Sequence, residues 1–119
     1  MKRVSAALVF LSIGQTAQAQ DAYGPATGNG YLAICTRDDD VHRTACNFYA
    51  AGMRNMLLML ETLGQLRPPD CSPDAITLGE KRDIFIAYLK ANPSLRHLGT
   101  PLLYLRAMVE AFPCPSELK

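Results

Sequence analysis

Four cysteines constrain the fold of this chain more strongly than any other feature, because each crosslink ties two distant points of the chain together. The four are Cys35, Cys46, Cys71 and Cys114, an even number that contains no C-x-x-C pair. Thioredoxin-like redox chemistry and C-x-x-C-H haem attachment both require that missing pair. Zinc sites usually need close ligand pairs as well. The pattern therefore predicts two structural disulfides, which are typical of oxidising compartments.

The first 19 residues have the composition of a secretory signal peptide. A positively charged start precedes an apolar stretch over residues 6–13, and small residues at 17 and 19 fit a signal peptidase site. We expect cleavage between Ala19 and Gln20. The apolar stretch is shorter than the roughly 20 residues that span a bilayer, so a retained anchor is not expected. The sequence thus predicts export through the general secretory route into a periplasm, with no membrane attachment after cleavage.

Cleavage would leave 100 of the 119 residues, enough for one domain in which crosslinks add useful stability. The mature chain would keep 10 of its 12 basic residues beside 11 acidic ones, a formal net charge of −1. With a net charge so close to zero, the mature chain is not expected to bind nucleic acid or anionic lipid by electrostatic attraction. Residues 20–29 are polar and rich in small residues, so we expect a flexible mature N-terminus, followed by a folded domain over residues 30–119.

Apolar residues recur at helical spacing, and no alternating strand pattern competes with them. The sequence predicts an all-α domain of one short helix, over about 31–36, and three longer ones. The long second helix covers about 41–66. The third begins at a Thr77 to Glu80 capping box and stops at Asn92-Pro93, and the last covers about 102–112, after an N-cap at Thr100.

The long second helix carries two apolar stripes, more than one neighbouring layer usually covers. The second stripe consists of Met53, Leu57 and Leu58, which suit either core packing or a homodimer contact. Gly52 lies mid-helix, where it costs about 1 kcal/mol relative to alanine. We expect a neighbouring helix to approach its bare backbone closely. The first stripe, predicted to face the core, contains Ala45, Tyr49, Gly52, Met56, Met59 or Leu60, and Leu63.

The helix boundaries suggest how the cysteines pair, because antiparallel neighbours place the end of one helix beside the start of the next. Cys35 ends the first helix, and Cys46 lies in the first turns of the second. Cys71 precedes the third helix, and Cys114 follows the fourth. Of the three possible connectivities, we therefore predict Cys35 with Cys46 and Cys71 with Cys114.

The triplet Asp38-Asp39-Asp40 stands where the long helix begins. Carboxylates at a helix start accept hydrogen bonds from free backbone N–H groups, so capping by Asp39 or Asp40 is the expected role. Contact with a partner is the alternative. A calcium site is not expected, because the segment lacks the alternating ligands and closing glutamate of an EF-hand loop.

Catalytic and cofactor motifs are missing from the sequence. Nucleophilic catalysis needs a serine or cysteine beside a positioned base, and the chain has neither G-x-S-x-G nor a cysteine expected to be free. The two histidines, His42 and His97, lie in an acidic segment and a polar turn. We therefore predict a protein that is not an enzyme, holds no cofactor or metal, and works by binding.

Taken in order, the motifs resemble those of the Rap/Tai-type immunity proteins of type VI secretion. The likeness covers about residues 30–115. The residues that carry it, together with Leu32 and Cys35, are Cys46-x-x-Tyr49-x-x-Gly52, Cys71-x-Pro73, Tyr88-Leu89 before Asn92-Pro93, and Phe112-Pro113-Cys114-Pro115. In this reading Tyr49, Gly52, Pro73, Pro93 and Pro113 are scaffold positions, beside the four cysteines.

The resemblance implies a periplasmic, disulfide-bonded, helical protein, often a homodimer. Such proteins block a cognate antibacterial effector, typically a peptidoglycan amidase, and here we expect occlusion of its active site. The alternative is a small periplasmic chaperone or accessory protein without a toxin partner, using the stripe of Met53, Leu57 and Leu58. The predicted partner-binding residues form an acidic loop and a polar turn: Asp38, Asp39, Asp40 and His42, and Arg96, His97 and Thr100.

Overall fold

The computed structural model describes residues 24–65 and 71–115, which contain four α-helices and no strand. The all-α prediction, with one short and three longer helices, is confirmed. Short 3-10 turns lie at Gly24–Ala26 and Pro93–Leu95. None of the helices in these ranges is long and apolar enough to cross a membrane. The α-helices are α1 Gly28–Cys35, α2 Asp40–Thr62, α3 Leu78–Ala91 and α4 Thr100–Ala111.

The caps that the sequence predicts for α2 and α3 are present. Asp39 caps α2, and Thr77 forms a full capping box with Glu80. The Thr77 backbone N–H and hydroxyl donate to the Glu80 carboxylate at 2.7 and 2.8 Å, which lowers the pKa of Glu80. Asn92 ends α3, as predicted. These ends are set by contacts within a few residues, which is why the sequence reveals them.

The chain is ordered earlier than the sequence suggests. Residues 24–29 fall within the predicted flexible N-terminus, yet α1 begins at Gly28 and is capped by Thr27. The Gly28 N–H donates to the carbonyl of Leu98 at 3.1 Å, and the next residue's N–H donates to that of Arg96 at 2.9 Å. Pairing with the loop before α4 therefore holds this segment. Residues 20–23, like the signal and its cleavage site, lie outside the described ranges.

Another element packs closely against the backbone at Gly28. The prediction that a neighbouring helix approaches Gly52 is wrong. A methyl group on Gly28 would lie 2.7 Å from Leu103 Cδ1 and 2.9 Å from Leu89 Cδ2. A methyl group on Gly52 would meet nothing within 4 Å. Gly28 is buried where α1 crosses α3 and α4, whereas Gly52 is exposed on α2.

The core lies where α1 to α4 meet, around a chain of tilted aromatic rings. The Phe85 ring centroid lies 4.9 Å from that of Tyr31 and 5.3 Å from that of Tyr104. Burial raises the pKa of Tyr31. The other buried apolar residues are Cys46, Ala50, Met53, Leu57, Leu89, Leu103, Ala107, Met108 and Cys114.

The buried face of α2 is rotated from the predicted first stripe. On α2 the core takes Cys46, Ala50, Met53 and Leu57, whereas the predicted Ala45, Gly52, Met59 and Leu63 are exposed. On α4 the core takes Leu103, Tyr104, Ala107 and Met108, and Leu102 is 45% exposed. Thr100 is the first residue of α4 and does not cap it, because Gly99 occupies the cap position. Both helices have apolar residues around most of their circumference, so periodicity alone does not select the buried side.

Both disulfides join the predicted partners. Cys35 and Cys46 link the end of α1 to the second turn of α2, and Cys71 and Cys114 link the segment before α3 to the segment after α4. The Cα atoms of each pair lie 5.1 Å apart. The described cysteines are all bonded.

Candidate partner-binding surface

The Cys35 to Cys46 bridge closes a short loop over residues 36–39, between α1 and α2. A hydrogen bond holds the start of the loop to the end of α1, since the Thr36 hydroxyl donates to the carbonyl of Leu32 at 2.7 Å. It ends at the cap of α2. A loop bounded by a crosslink and two helix ends has little conformational freedom to lose on binding.

Asp39 holds the end of this loop to α2. Its carboxylate accepts from the backbone N–H of His42 at 3.0 Å and lies 2.7 Å from His42 Nδ1. The backbone hydrogen bond is the main cause, and the contact with the His42 ring the second, of a lowered pKa for Asp39. The predicted capping role of the acidic triplet is thus confirmed for Asp39.

The other two aspartates converge on one arginine. Arg43 donates from Nη2 to Asp38 and from Nη1 to Asp40, each at 3.1 Å. Both carboxylates are almost fully exposed, and such pairs add little stability. Among residues 24–65 and 71–115, no three metal-ligating side chains cluster closely enough to hold an ion. This loop therefore presents an ordered, charged surface to solvent.

A cleft of about 330 Å³ opens beside the bridged loop. Its walls carry Arg37, Arg43 and Arg82 together with Asp38 and Asp83. Both cysteines of the first bridge, with Thr36 and Ile86, complete the lining. The mixture of exposed guanidinium and carboxylate groups suits charged or hydrogen-bonding side chains of a protein partner.

Arg82 is one of the cleft residues that the sequence did not predict. Its Nη1 donates to Asn47 Oδ1 at 2.6 Å, which joins α3 to α2, and its other nitrogens donate to Asp83. Asn47 is 35 residues away in the chain, so no local pattern points to the contact. Arg43 was also missed, but its spacing from Asp40 is a recognisable helical pair.

The predicted polar turn does not form a second binding surface as a whole. Arg96 donates from Nε to the carbonyl of Leu89 at 2.6 Å and from Nη2 to that of Lys90 at 3.0 Å, so it caps the end of α3. Thr100 is fully buried. Of the three predicted contacts in this turn, His97 remains exposed. The turn is structural because its polar groups satisfy backbone groups of other elements.

In the second stripe of α2, the core-packing alternative is confirmed at two of the three residues. Met53 and Leu57 are only 4% and 3% exposed and belong to the core, whereas Leu58 is 55% exposed. Two of the three residues are therefore unable to meet a second subunit. Among the predicted scaffold positions, Tyr49 packs on Tyr31 with ring centroids 5.8 Å apart. Pro93 begins the 3-10 turn after α3.

A known protein family matches this chain over most of its described length. The family model described as Rap1a immunity proteins matches residues 27–114. The matched range begins at the cap of α1 and ends at the last cysteine, so it contains all four helices and both bridges. No curated protein and no solved structure matches the chain significantly.

Proposed function

Because the chain belongs to the Rap1a immunity protein family, we propose that it protects the cell that makes it by binding a secreted effector. The family match carries this proposal, since it spans the four described α-helices and both bridges. Protection by binding needs no catalytic group, and we propose that the protein is not an enzyme. What it needs is an exposed, ordered surface, which the bridged loop supplies.

We further propose that the effector is a peptidoglycan amidase and that the two proteins meet in the periplasm. Two formed disulfides support an oxidising compartment. The signal-like composition of residues 1–19 supports export. A peptidoglycan substrate places the effector's target in that same compartment.

The proposed contact surface is the bridged loop with its adjoining cleft. Asp38 and Asp40 are exposed, yet Arg43 orders them, so docking costs little side-chain entropy. Exposed charges at such a site steer association and select the partner. We propose that this surface covers the entrance to the effector's active site, which excludes the peptidoglycan strand. His97 lies on the predicted turn and stays a weaker candidate contact.

A periplasmic co-expression experiment tests both the proposed protective function and the proposed contact surface. An amidase effector encoded beside the gene is directed to the periplasm with the wild-type protein, and we expect lysis to be prevented. The Asp38→Lys, Asp40→Lys double variant should lose protection while staying folded, with only a small drop in thermal midpoint because Lys at position 40 meets the positive end of the α2 dipole. The control is Asp74→Lys, an exposed carboxylate in the turn before α3. Lysis despite wild-type protein contradicts the function, whereas protection by the double variant contradicts only the surface.

The chaperone alternative is the weaker proposal. It uses Met53, Leu57 and Leu58 as apolar surface released at low pH, and because the first two are buried, α2 would have to leave the core to release them. We expect binding of a hydrophobic dye to change little between pH 7 and pH 4. A large rise with native bridges intact would restore that alternative.

A further inference from the structure

The cleft beside the bridged loop contains more positive than negative side chains. Three arginines line it, Arg37, Arg43 and Arg82, together with two aspartates, Asp38 and Asp83. Asp38 accepts a hydrogen bond from Arg43 at 3.1 Å. Asp83 accepts two from Arg82, at 2.7 and 2.9 Å. Because each aspartate is paired with an arginine of the same cleft, the groups left over are donors, and they favour an anionic ligand.

Arg37 supplies most of these donors. Within residues 24–65 and 71–115, its guanidinium contacts Asp39 as an ion pair, in which Nε lies 3.6 Å from the carboxylate. That distance is too long for a hydrogen bond. Asp39 lies outside the cleft lining, and its carboxylate is engaged by the backbone and ring of His42. The guanidinium of Arg37 is 62% exposed as part of its side chain and can turn toward a partner.

Arg82 is held in one orientation before any partner binds. Its side chain is 26% exposed, the least of the three arginines, and Nη1 donates to Asn47 of α2 at 2.6 Å. Within the described residues its contacts use three of the five N–H groups of a guanidinium, and two remain for another acceptor. Little side-chain entropy is lost when such a preset group binds.

The size and walls of the cleft suit a single charged side chain. Its volume of about 330 Å³ lies near the lower end of the range for ligand pockets, roughly 300–1,000 Å³. The Cys35 to Cys46 bridge and Ile86 form the apolar part of the lining. Apolar walls lower the local dielectric constant, which strengthens the attraction between opposite charges.

We propose that this cleft is a socket for one carboxylate side chain, aspartate or glutamate, of the effector, and that Arg37 and Arg82 determine specificity by donating to it. The inference rests on the proposed function, which supplies the partner. A carboxylate accepts paired hydrogen bonds from a guanidinium, whereas a basic side chain would meet like charges. The exposed carboxylates of Asp38 and Asp40 stay available to basic groups around the socket, so the matching effector surface carries charges of both signs.

The first test measures the affinity of the mature protein for the amidase effector encoded beside its gene, by isothermal titration calorimetry. We expect Arg37→Gln to raise the dissociation constant about tenfold, because hydrogen bonds to a charged group are lost. Asp83→Asn should lower it about threefold, since it removes a competing negative charge but keeps an oxygen that accepts from Arg82. A merely structural role for these residues would not tighten binding. The control is Arg54→Gln, an exposed arginine of α2 outside the cleft lining, which should leave the affinity unchanged.

The second test identifies the carboxylate by a double-mutant cycle. Single Asp→Asn and Glu→Gln variants of the effector, around its active-site entrance, are titrated with the wild-type protein and with Arg37→Gln. One effector variant should weaken binding to the wild type about tenfold yet add little to the effect of Arg37→Gln, because the two changes remove the same contact.

The outcomes separate the socket from the function. A wild-type protein that does not bind the effector overturns both proposals. Binding that Arg37→Gln and Asp83→Asn leave unchanged overturns the socket alone. So does a scan in which every effector variant adds independently to Arg37→Gln.

Discussion

The hydroxyl of Thr100 donates a hydrogen bond to the carbonyl of Pro25, 75 residues earlier in the chain. Thr100 is fully buried at the start of α4, so this contact fastens the first described turn to the last helix. An isolated bridge between Thr27 and Gly99 lies beside it. The N-terminal segment is therefore part of the folded domain.

Removing that hydroxyl should leave the part-buried carbonyl of Pro25 without this hydrogen bond. We expect Thr100→Val to lower the free energy of unfolding by about 1–3 kcal/mol, measured by urea denaturation. The matched control is Thr62→Val, whose hydroxyl donates to Leu58 on the exposed side of α2. That change should stay within about 0.5 kcal/mol. Equal losses at both sites would contradict the assigned role of Thr100.

Substitution by alanine should lower the stability of the protein at Gly28 and raise it at Gly52. Gly28→Ala forces a methyl group against Leu103, Leu89 and the backbone of Arg96, so we expect a loss of about 1–3 kcal/mol. Gly52→Ala adds a helix-favouring residue in open space and should gain up to about 1 kcal/mol in the monomer. Thermal unfolding at low protein concentration measures both. A loss at Gly52 would reveal a contact within one chain that the fold does not show.

The two bridges should contribute unequally. Cys71 to Cys114 closes 43 residues and Cys35 to Cys46 closes 11. In the loop-entropy account their removal lowers stability by about 4 and about 3 kcal/mol, because the longer loop restricts the unfolded chain more. Paired Cys→Ala variants, unfolded in urea, give both values. A larger loss from the shorter loop would point to native contacts that depend on the bridge beside the cleft.

Asp39 should make the fold sensitive to acid. Its folded pKa lies below its unfolded value, so its stabilising effect is present above the unfolded value, near 3.8, and is lost as pH falls through the folded one. Asp39→Asn keeps a capping oxygen but does not titrate. We expect the variant to lose less stability than wild type between pH 5 and pH 2, followed by thermal midpoint. Parallel pH profiles would show that other carboxylates dominate the acid response.

The starts of α2 and α3, the end of α3 and the cysteine pairs were predictable because their signals are local. Thr77 and Glu80, which form the capping box, lie three residues apart. The disulfide pairing followed from the predicted helix boundaries alone, because each bridge joins two neighbouring helix ends. Long-range roles were not predictable in this way. Arg96 looked like surface because the carbonyls it caps belong to α3, and Thr100 looked like a cap because its true partner, Pro25, lies near the other end of the chain.

The buried side of α2 escaped prediction for a different reason. Met53 and Gly52 are adjacent, and both belong to apolar stripes at helical spacing. Only the position of α1 and α3 decides that Met53 enters the core. Periodicity detects a helix with two apolar sides but does not say which side meets the core.

Two disulfides, a row of buried aromatic rings and the buried Thr100 hydroxyl stabilise the fold. The charged side chains of the loop over residues 36–39 form exposed ion pairs instead. Exposed substitutions away from caps and crosslinks usually change stability by less than about 0.5 kcal/mol. Asp38 is such a position, whereas Cys35, three residues earlier, is not. Exposed positions of this loop, such as Asp38, can therefore change during evolution while the protein stays folded, so the surface that we propose meets the effector can follow changes in that effector.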